Sequence, residues 1–360
     1  MSENEVSEAN LGPLWPLLDD PAVSEIFVDS PSRISIVRNG KLEDVDSRFD
    51  DEAHLLAVIR TIIAPLGCRF DESHPLLEAR LFDGTRVSAV IGPIALDGAA
   101  LVLSKARQNR LTEEDLLRFG MWDAAIVSFL RGCVAGRLNI VVAGNNASGK
   151  TTLMNMICAM IPAGERIITV EETNELWLTQ QRLLRLEARP PNLAGKGAVT
   201  LRDLVQQALR MYPERLIVGE LRGAELWPLI QAINNGHHGS MATMHATSPR
   251  DALARLEVMA TASDPAIPLL NVREQLASAL DLIVQIARLA DGTRRITQIA
   301  EVQRLEREAI AIQDLFTFIE GPRDGEQIHG RFAATGQIPT FLTVLKQRGV
   351  ELPLDIFKQP

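Results

Sequence analysis

The first third of the chain carries short apolar runs separated by turn residues, a pattern typical of antiparallel strands. Two β-branched runs are followed by Asp29-Ser-Pro31 and by Asn39-Gly40, and a later pair of runs is joined by Asp83-Gly84. Because these residues favour tight turns, each pair of runs predicts a hairpin. Apolar residues at helical spacing predict a helix over 51–63, between the hairpins. The pattern indicates a small α+β domain over residues 1–105. The predicted strands are 25–28, 33–37, 79–82 and 86–91.

A different pattern begins after the polar segment 106–111, which is predicted to be a linker. Thr112 and Asp115 have the spacing of a capping box and predict the start of a helix. Continuous apolar runs then alternate with helical patterns, as expected for strands buried on both faces of a parallel sheet. We therefore predict a mainly parallel α/β domain over 112–305, with 306–360 as a tail packed on or beside it. The predicted strands are 138–143, 166–170 and 215–219, and the predicted helices are 150–160, 200–211, 223–235 and 249–260.

Composition and charge narrow the class of protein. The 360 residues are 46% hydrophobic and 23% charged, which is a globular composition. The net charge of −9 and the aromatic content of 4% oppose nucleic-acid binding, because such proteins need a basic surface and stacking platforms. Three scattered cysteines fit a reducing compartment, and no apolar run is long enough to span a bilayer. We expect a cytoplasmic protein that binds no nucleic acid and has no transmembrane segment.

The strongest chemical signal is a phosphate-binding motif. The segment 144–151 matches G-x-x-x-x-G-K-[ST] and lies between a predicted strand and a predicted helix, which is the context that the motif requires. Backbone N–H groups of such a loop bind nucleotide phosphates, with the help of the positive end of the helix. Lys150 is expected to reach the β- and γ-phosphates, and the Thr151 hydroxyl to ligate Mg²⁺. The predicted phosphate-binding residues are Gly144, Asn145, Asn146, Ala147, Ser148, Gly149, Lys150, Thr151 and Thr152.

Carboxylates stand where two further strands are predicted to end. Glu220 follows the strand 215–219, at the sheet edge where open α/β folds bind ligands. It has the chemistry either of a Mg²⁺ ligand or of a base for hydrolysis. Glu171, after the strand 166–170, is a weaker signal of the same kind. The histidine-rich segment that ends at His245 lacks acidic or cysteine ligands at metal spacing, so phosphate sensing or strand orientation is favoured over zinc.

Taken in order, these elements resemble the secretion-superfamily traffic ATPases, and most of all their CpaF-like branch, which drives assembly of tight-adherence pili. The resemblance implies a RecA-like P-loop ATPase domain that uses ATP and Mg²⁺. It implies a homo-hexameric ring, peripheral on the cytoplasmic face of the inner membrane, that acts on polytopic platform proteins to power pilus assembly or secretion. Motifs along nearly the whole chain carry the resemblance, namely Asp71-Glu-Ser-His-Pro75, Leu186-Glu-Ala-Arg-Pro-Pro-Asn192, Glu220-Leu-Arg222, Gly236-His237 and Gly330-Arg-Phe-Ala-Ala-Thr-Gly336.

The resemblance also assigns roles to residues. Glu220 matches the catalytic Walker B glutamate, Glu171 belongs to the Asp box, and His245 is the His-box histidine. Mg²⁺ would be ligated by Thr151, Glu171 and Glu220. Six arginines are candidates for phosphate contact or for reaching a neighbouring subunit: Arg80, Arg86, Arg185, Arg189, Arg210 and Arg222.

The sequence departs from the family pattern in the phosphate loop itself. Asn145, Asn146 and Ala147 replace the usual G-T-G. Asparagine tolerates left-handed backbone angles, whereas alanine there costs about 1–2 kcal/mol, which would weaken nucleotide binding about tenfold. The hypothesis is therefore an active ATPase that is slower than its relatives. Three other positions also depart from the pattern: Ser104, Glu172 and Tyr212.

Two alternative interpretations stay open at this point. One is a type II or type IV secretion (conjugation) ATPase of similar architecture. The other is a catalytically weak nucleotide-binding scaffold that completes a mixed ring with an active paralogue. A metabolic P-loop kinase would have no reason for the connector arginines or the His box, and the negative charge opposes a nucleic-acid translocase.

Overall fold

The computed structural model describes residues 11–38, 40–66, 68–81, 83–105, 111–189, 191, 196–325 and 327–359. The chain divides into two compact units between Arg110 and Leu111, called here the amino-terminal and carboxy-terminal units. Most of the predicted linker, 106–110, lies outside the described residues, as do Asn39 and Phe82.

The amino-terminal unit is built on a six-stranded antiparallel sheet with the strand order β3-β2-β1-β6-β5-β4. Both predicted hairpins are confirmed, as β1 with β2 and β4 with β5. The predicted helix is α2, and the Asp51 side chain caps its first turn. Strands β3 and β6 were not predicted. The elements are α1 (Trp15–Asp19), β1 (Val23–Ser30), β2 (Arg33–Arg38), β3 (Lys41–Val45), α2 (Glu52–Ile63), β4 (Leu76–Arg80), β5 (Arg86–Val90) and β6 (Ala100–Ser104).

The carboxy-terminal unit is built on a nine-stranded mixed sheet. Its helices are α3 (Glu113–Arg118), α4 (Ala124–Ala135), α5 (Lys150–Ala159), α6 (Leu201–Leu209), α7 (Leu226–Asn234), α8 (Pro249–Ser263), α9 (Leu269–Ala279) and α10 (Leu342–Gln347). Its strands are β7 (Ile140–Gly144), β8 (Ile167–Glu171), β9 (Leu183–Glu187), β10 (Arg215–Leu221), β11 (Met241–Met244), β12 (Leu282–Arg288), β13 (Arg294–Glu306), β14 (Ala309–Asp324) and β15 (Gln327–Ala334). The order is β15-β14-β13-β12-β7-β11-β10-β8-β9, with parallel pairing from β12 to β9 and antiparallel pairing from β12 to β15.

Apolar layers cover both faces of the parallel part of the sheet. Every residue of β7 and of β8 is buried, as the continuous apolar runs predicted. One face of the sheet packs against α4 and α5, and the other packs against α6 to α9. The predicted strands and helices are confirmed in this region. Because parallel strands end at one edge, the loops after β7, β8, β10 and β11 are brought together.

The carboxy-terminal segment is part of this sheet. Residues 306–360 were expected as a tail packed on or beside the domain, but β14 and β15 extend the sheet, and helix α10 follows them. Glu301 of β13 holds the start of that helix, because its carboxylate accepts hydrogen bonds from the Thr340 backbone N–H at 2.8 Å and hydroxyl at 2.6 Å. Among the described residues, no helix has the length and apolar character needed to cross a membrane.

Asp281, just before β12, makes stability depend on pH. Its carboxylate accepts hydrogen bonds from the backbone and side-chain N–H groups of Asn139, at 2.7 and 3.0 Å. Burial raises the pKa of Asp281 to about 6 from its ordinary 3.8. The folded protein therefore keeps this proton at a pH where the unfolded chain has lost it, so stability decreases as the pH rises from about 4 to about 6.

The variant Asp281→Asn is expected to remove this decrease, because asparagine can accept the same hydrogen bonds without a buried charge. The difference in free energy of unfolding between the variant and the parent chain should grow by up to about 3 kcal/mol from pH 4 to pH 7, in favour of the variant. Urea denaturation at both pH values measures the difference, with Asp97→Asn at an exposed aspartate as the control. An equal difference between variant and parent at both pH values would contradict the role given to Asp281.

Candidate functional site

The loop between β7 and α5 needs glycine at both ends. A Cβ on Gly144 would lie 2.5 Å from the carbonyl oxygen of Ile286 and from the Ser148 hydroxyl oxygen. Gly149 has φ +102°, in the left-handed region that glycine adopts at little cost. The chain then enters helix α5 at Lys150. The structure thus has the strand, tight loop and helix that the sequence motif predicted.

The N-terminus of α5 has the features of an anion site. The first backbone N–H groups of a helix have no partner within the helix, and many helices satisfy them with a side chain at the N-cap. Gly149 supplies no such side chain. Helices α2, α3, α4, α6 and α8, in contrast, are capped by Asp51, Thr112, Asp123, Thr200 and Ser248. Helices α1, α7, α9 and α10 also lack a side-chain N-cap. What makes the start of α5 fit a phosphate group is the glycine loop and the lysine that accompany its uncapped N–H groups.

The loop carries the backbone strain that its composition predicted. Ala147 has φ +57°, which costs an L-residue about 1–2 kcal/mol. Asn145 and Asn146 are not in the left-handed region, so the tolerance of asparagine for that conformation is not used here. The departure from the family's G-T-G thus has its cost at one residue, Ala147.

Lys150 lies between the loop and the end of the neighbouring strand β11. The residue is only 8% exposed, and its Nζ donates a hydrogen bond to the carbonyl oxygen of Asn145 at 3.1 Å. The same atom lies 3.2 Å from Nδ1 of His245, which follows β11. Burial lowers the pKa of Lys150, while the carboxylates of Glu220 and Glu175 oppose this effect. The ammonium group is held where its present partners can be exchanged for phosphate oxygens.

Glu220 is joined to Lys150 through His245. Nε2 of His245 lies 3.0 Å from Oε1 of Glu220. The same oxygen accepts a hydrogen bond from Nε of Arg222 at 2.9 Å, and the guanidinium also pairs with Glu172. The hydrogen bond to Glu220 raises the pKa of Arg222. The structure thus places three predicted site residues, Lys150, His245 and Glu220, in one chain of contacts.

Glu171 and Glu175 both lie near the end of β8, but they have different surroundings and different partners. Glu171 is 2% exposed, and its Oε1 accepts hydrogen bonds from the backbone N–H groups of Glu175 at 2.9 Å and Leu176 at 3.0 Å. The buried carboxylate of Glu171 therefore holds the backbone of the loop that follows β8. Glu175 accepts a hydrogen bond from the Thr151 hydroxyl at 3.2 Å. It is a site residue that the sequence analysis did not select, because only the folded loop brings it to Thr151.

The oxygen donors at this edge have the chemistry that Mg²⁺ prefers, namely hydroxyl and carboxylate groups beside a phosphate site. Thr151, Glu175 and Glu220 supply them. Thr152 also lies in the first turn of α5, next to Thr151.

The six candidate arginines are divided between the two units, and the four in the carboxy-terminal unit have different positions or partners. Among the described residues of the carboxy-terminal unit, Arg222 is the candidate that hydrogen-bonds the carboxylate of Glu220. Arg185 donates to the carbonyl oxygen of Leu178, Arg189 donates to that of Gly197, and Arg210 is the C-cap residue that follows helix α6. The remaining two lie in the amino-terminal unit, where they pair across β4 and β5: Arg80 and Arg86.

Comparisons with known proteins identify the family to which the chain is similar. The type II/IV secretion system protein family matches residues 7–318. A provisionally named conjugal transfer protein of Mycobacterium tuberculosis is 32% identical over 307 residues, covering 84% of this chain and 87% of its own. The type IV secretion system protein PtlH of Bordetella pertussis is 32% identical over 319 residues, covering 79% of this chain and 92% of its own.

The fold has a counterpart among solved structures. The X-ray structure of the ATPase DotB of Legionella pneumophila superimposes with a TM-score of 0.58, covering 86% of this chain and 84% of DotB, at 16% identity. This likeness confirms the α/β fold class, with an amino-terminal domain and a RecA-like domain. The match over residues 7–318 and the two relatives at 32% identity establish that the chain belongs to the type II/IV secretion system protein family.

Proposed function

We propose that this protein is a Mg²⁺-dependent ATPase of the CpaF-like branch. It works as a homo-hexameric ring on the cytoplasmic face of the inner membrane, where polytopic platform proteins receive its stroke and a pilus is assembled or a protein secreted. The observation that carries the proposal is the uncapped start of α5 beside the contact chain from Lys150 through His245 to Glu220. A phosphate site and a carboxylate base at one sheet edge are what hydrolysis of a nucleoside triphosphate needs.

The binding half of the site is the loop and Lys150. Phosphate oxygens would replace the Asn145 carbonyl and His245 as partners of the Lys150 ammonium. They would also accept hydrogen bonds from the backbone N–H groups in the first turn of α5. Thr151, together with Glu175 or Glu220, would hold Mg²⁺, which neutralises charge on the phosphates. The hydrogen bond between Thr151 and Glu175 marks where these donors already meet.

The catalytic half of the site is Glu220. Its Oε1 is fixed between His245 and Arg222, at 3.0 and 2.9 Å, so the carboxylate is oriented before any water arrives. A carboxylate at this position can orient the attacking water and accept its proton. Arg222 is held in turn, because the Glu225 carboxylate accepts the backbone N–H groups of Arg222 and Gly223.

The variant Glu220→Gln tests this assignment. Glutamine keeps the size of the side chain but cannot accept the proton, so the rate of ATP hydrolysis should fall about 100-fold or more, while ATP affinity should change less than about threefold. Phosphate release with Mg²⁺ or with EDTA, and equilibrium binding of ATP, measure the two quantities. Glu172→Gln is the matched control at the other carboxylate on Arg222, and its rate should stay within about tenfold of the parent. An unchanged rate in Glu220→Gln would refute the catalytic role.

Two other functions have specific support. The names of the relatives in Mycobacterium tuberculosis and Bordetella pertussis favour a conjugation or type IV secretion ATPase. The left-handed backbone at Ala147 favours a catalytically weak scaffold in a mixed ring. Light scattering and hydrolysis of the purified chain separate the last case: six identical chains that hydrolyse ATP support the proposal, whereas activity only with a second ATPase supports the scaffold.

A further inference from the structure

Arg294 lies against the phosphate loop, although no sequence motif marks it. It is the first residue of β13, and its Nε donates a hydrogen bond to the carbonyl oxygen of Ala147 at 2.9 Å. Its Cδ lies 3.0 Å from the position that a Cβ on Gly149 would occupy. Ala147 and Gly149 are the two residues of this loop with positive φ. The Arg294 side chain therefore contacts the loop at both of its left-handed residues.

The loop needs a support at this position. The left-handed conformation costs alanine more free energy than glycine, because alanine has a Cβ. A hydrogen bond from a charged donor to the Ala147 carbonyl favours the present orientation of the following peptide. Since the C=O and N–H of one peptide unit are coplanar and point in opposite directions, that bond also sets the direction of the Ser148 N–H.

Strand β12, the neighbour of the strand that carries Arg294, contacts the phosphate loop at its first residue, Gly144. Ile286 of β12 pairs with Gly144, the first residue of the phosphate motif, and its carbonyl oxygen lies where only a glycine fits. Arg294 is paired in register with Arg288 on the neighbouring strand β12. The hairpin of β12 and β13 therefore borders the loop from Gly144 to Gly149, and the Arg294 backbone is positioned by a sheet rather than by a loop.

We propose that Arg294 is a positioning residue that holds the phosphate loop in its binding conformation and offsets the left-handed backbone of Ala147. This inference rests on the proposed nucleotide binding. Arg294 acts through its hydrogen bond to the loop backbone, and not as a positive charge that attracts phosphate from a distance. A loop with glycine at position 147 should need this contact less.

The test compares single and double variants of the full chain. Equilibrium titration with ATP and Mg²⁺ should show that Arg294→Ala weakens binding about tenfold. In the background of Ala147→Gly the same change should cost less than about threefold, because the strain that the arginine offsets is gone. Arg294→Lys keeps the charge but has no Nε donor, so it should be nearly as weak as Arg294→Ala. Arg288→Ala, at the cross-strand partner, is the control and should bind ATP like the parent.

A second measurement reads the loop without nucleotide. Hydrogen exchange of the amides of residues 145–149 should be faster in Arg294→Ala than in the parent and the Arg288→Ala control. If the parent chain binds no ATP, the proposed function fails, whereas this exchange still decides the role of Arg294. Three results would overturn the inference: unchanged exchange, equal losses of affinity in both backgrounds, or full recovery by lysine.

Discussion

Lys150→Ala is expected to lower the affinity for ATP by at least about 100-fold, which is the largest effect on binding at this site. The substitution removes the ammonium group that lies within 3.2 Å of both the Asn145 carbonyl and His245, at the uncapped start of α5. Titration calorimetry with Mg²⁺ and ATP measures the loss.

The matched control is Lys346→Ala, at an exposed lysine on helix α10. It should leave the affinity within about twofold of the parent, because a single exposed lysine contributes little to binding. Circular dichroism of both variants shows that they are folded. If Lys150→Ala bound ATP as tightly as Lys346→Ala, the triphosphate would not be held by this loop.

Phe129→Ala is expected to cause the largest loss of stability, about 3–5 kcal/mol. The Phe129 ring is 0% exposed, and its centroid lies 5.1 Å from that of Phe316, 6.3 Å from Phe341 and 5.8 Å from Phe357. Three of these rings come from residues after 305, so one substitution in α4 removes an aromatic contact between this helix and the carboxy-terminal segment.

Urea denaturation at constant pH measures this loss. Phe119→Ala is the control, because Phe119 is 50% exposed and should cost less than about 1 kcal/mol. A loss at Phe129 no larger than that at Phe119 would show that the carboxy-terminal segment does not depend on this aromatic cluster.

Local sequence signals predicted three of the strands that carry the site, β7, β8 and β10, but not β11, which leads to His245. The apolar runs before Gly144 and before Glu220 are buried strands, since a strand covered on both faces has few other compositions available. The capping box of Thr112 and Asp115 starts a helix, as predicted. These signals act within a few residues, and reading them requires no knowledge of the tertiary fold.

Several of the missed elements depend on distant partners, although β12 was also missed and is a buried strand with an apolar run. Strand β9 has an exposed and half-buried pattern, because it lies at the edge of the sheet. Strands β14 and β15 pair only with their antiparallel neighbours, so their sequences show no parallel-strand signature. The short carboxy-terminal helix is positioned by the buried carboxylate of Glu301, 39 residues before Thr340.

The same reason limited the prediction of the site. The motif predicted Lys150 and Thr151, because these adjacent residues both lie in the first turn of the helix that follows the loop. The contacts of Glu175 with Thr151 and of Arg294 with Ala147 join residues 24 and 147 positions apart, so no local pattern contains them. The strain at Ala147 was predicted, because it depends only on the missing glycine.

A crystal structure with Mg²⁺ and a non-hydrolysable ATP analogue will show whether the loop before α5 binds the triphosphate. We predict that the β- and γ-phosphates lie at the first turn of α5 and that Nζ of Lys150 leaves the Asn145 carbonyl for phosphate oxygens, with Glu220 facing the γ-phosphate. An analogue bound elsewhere, while Lys150 keeps its contacts with Asn145 and His245, would contradict the account.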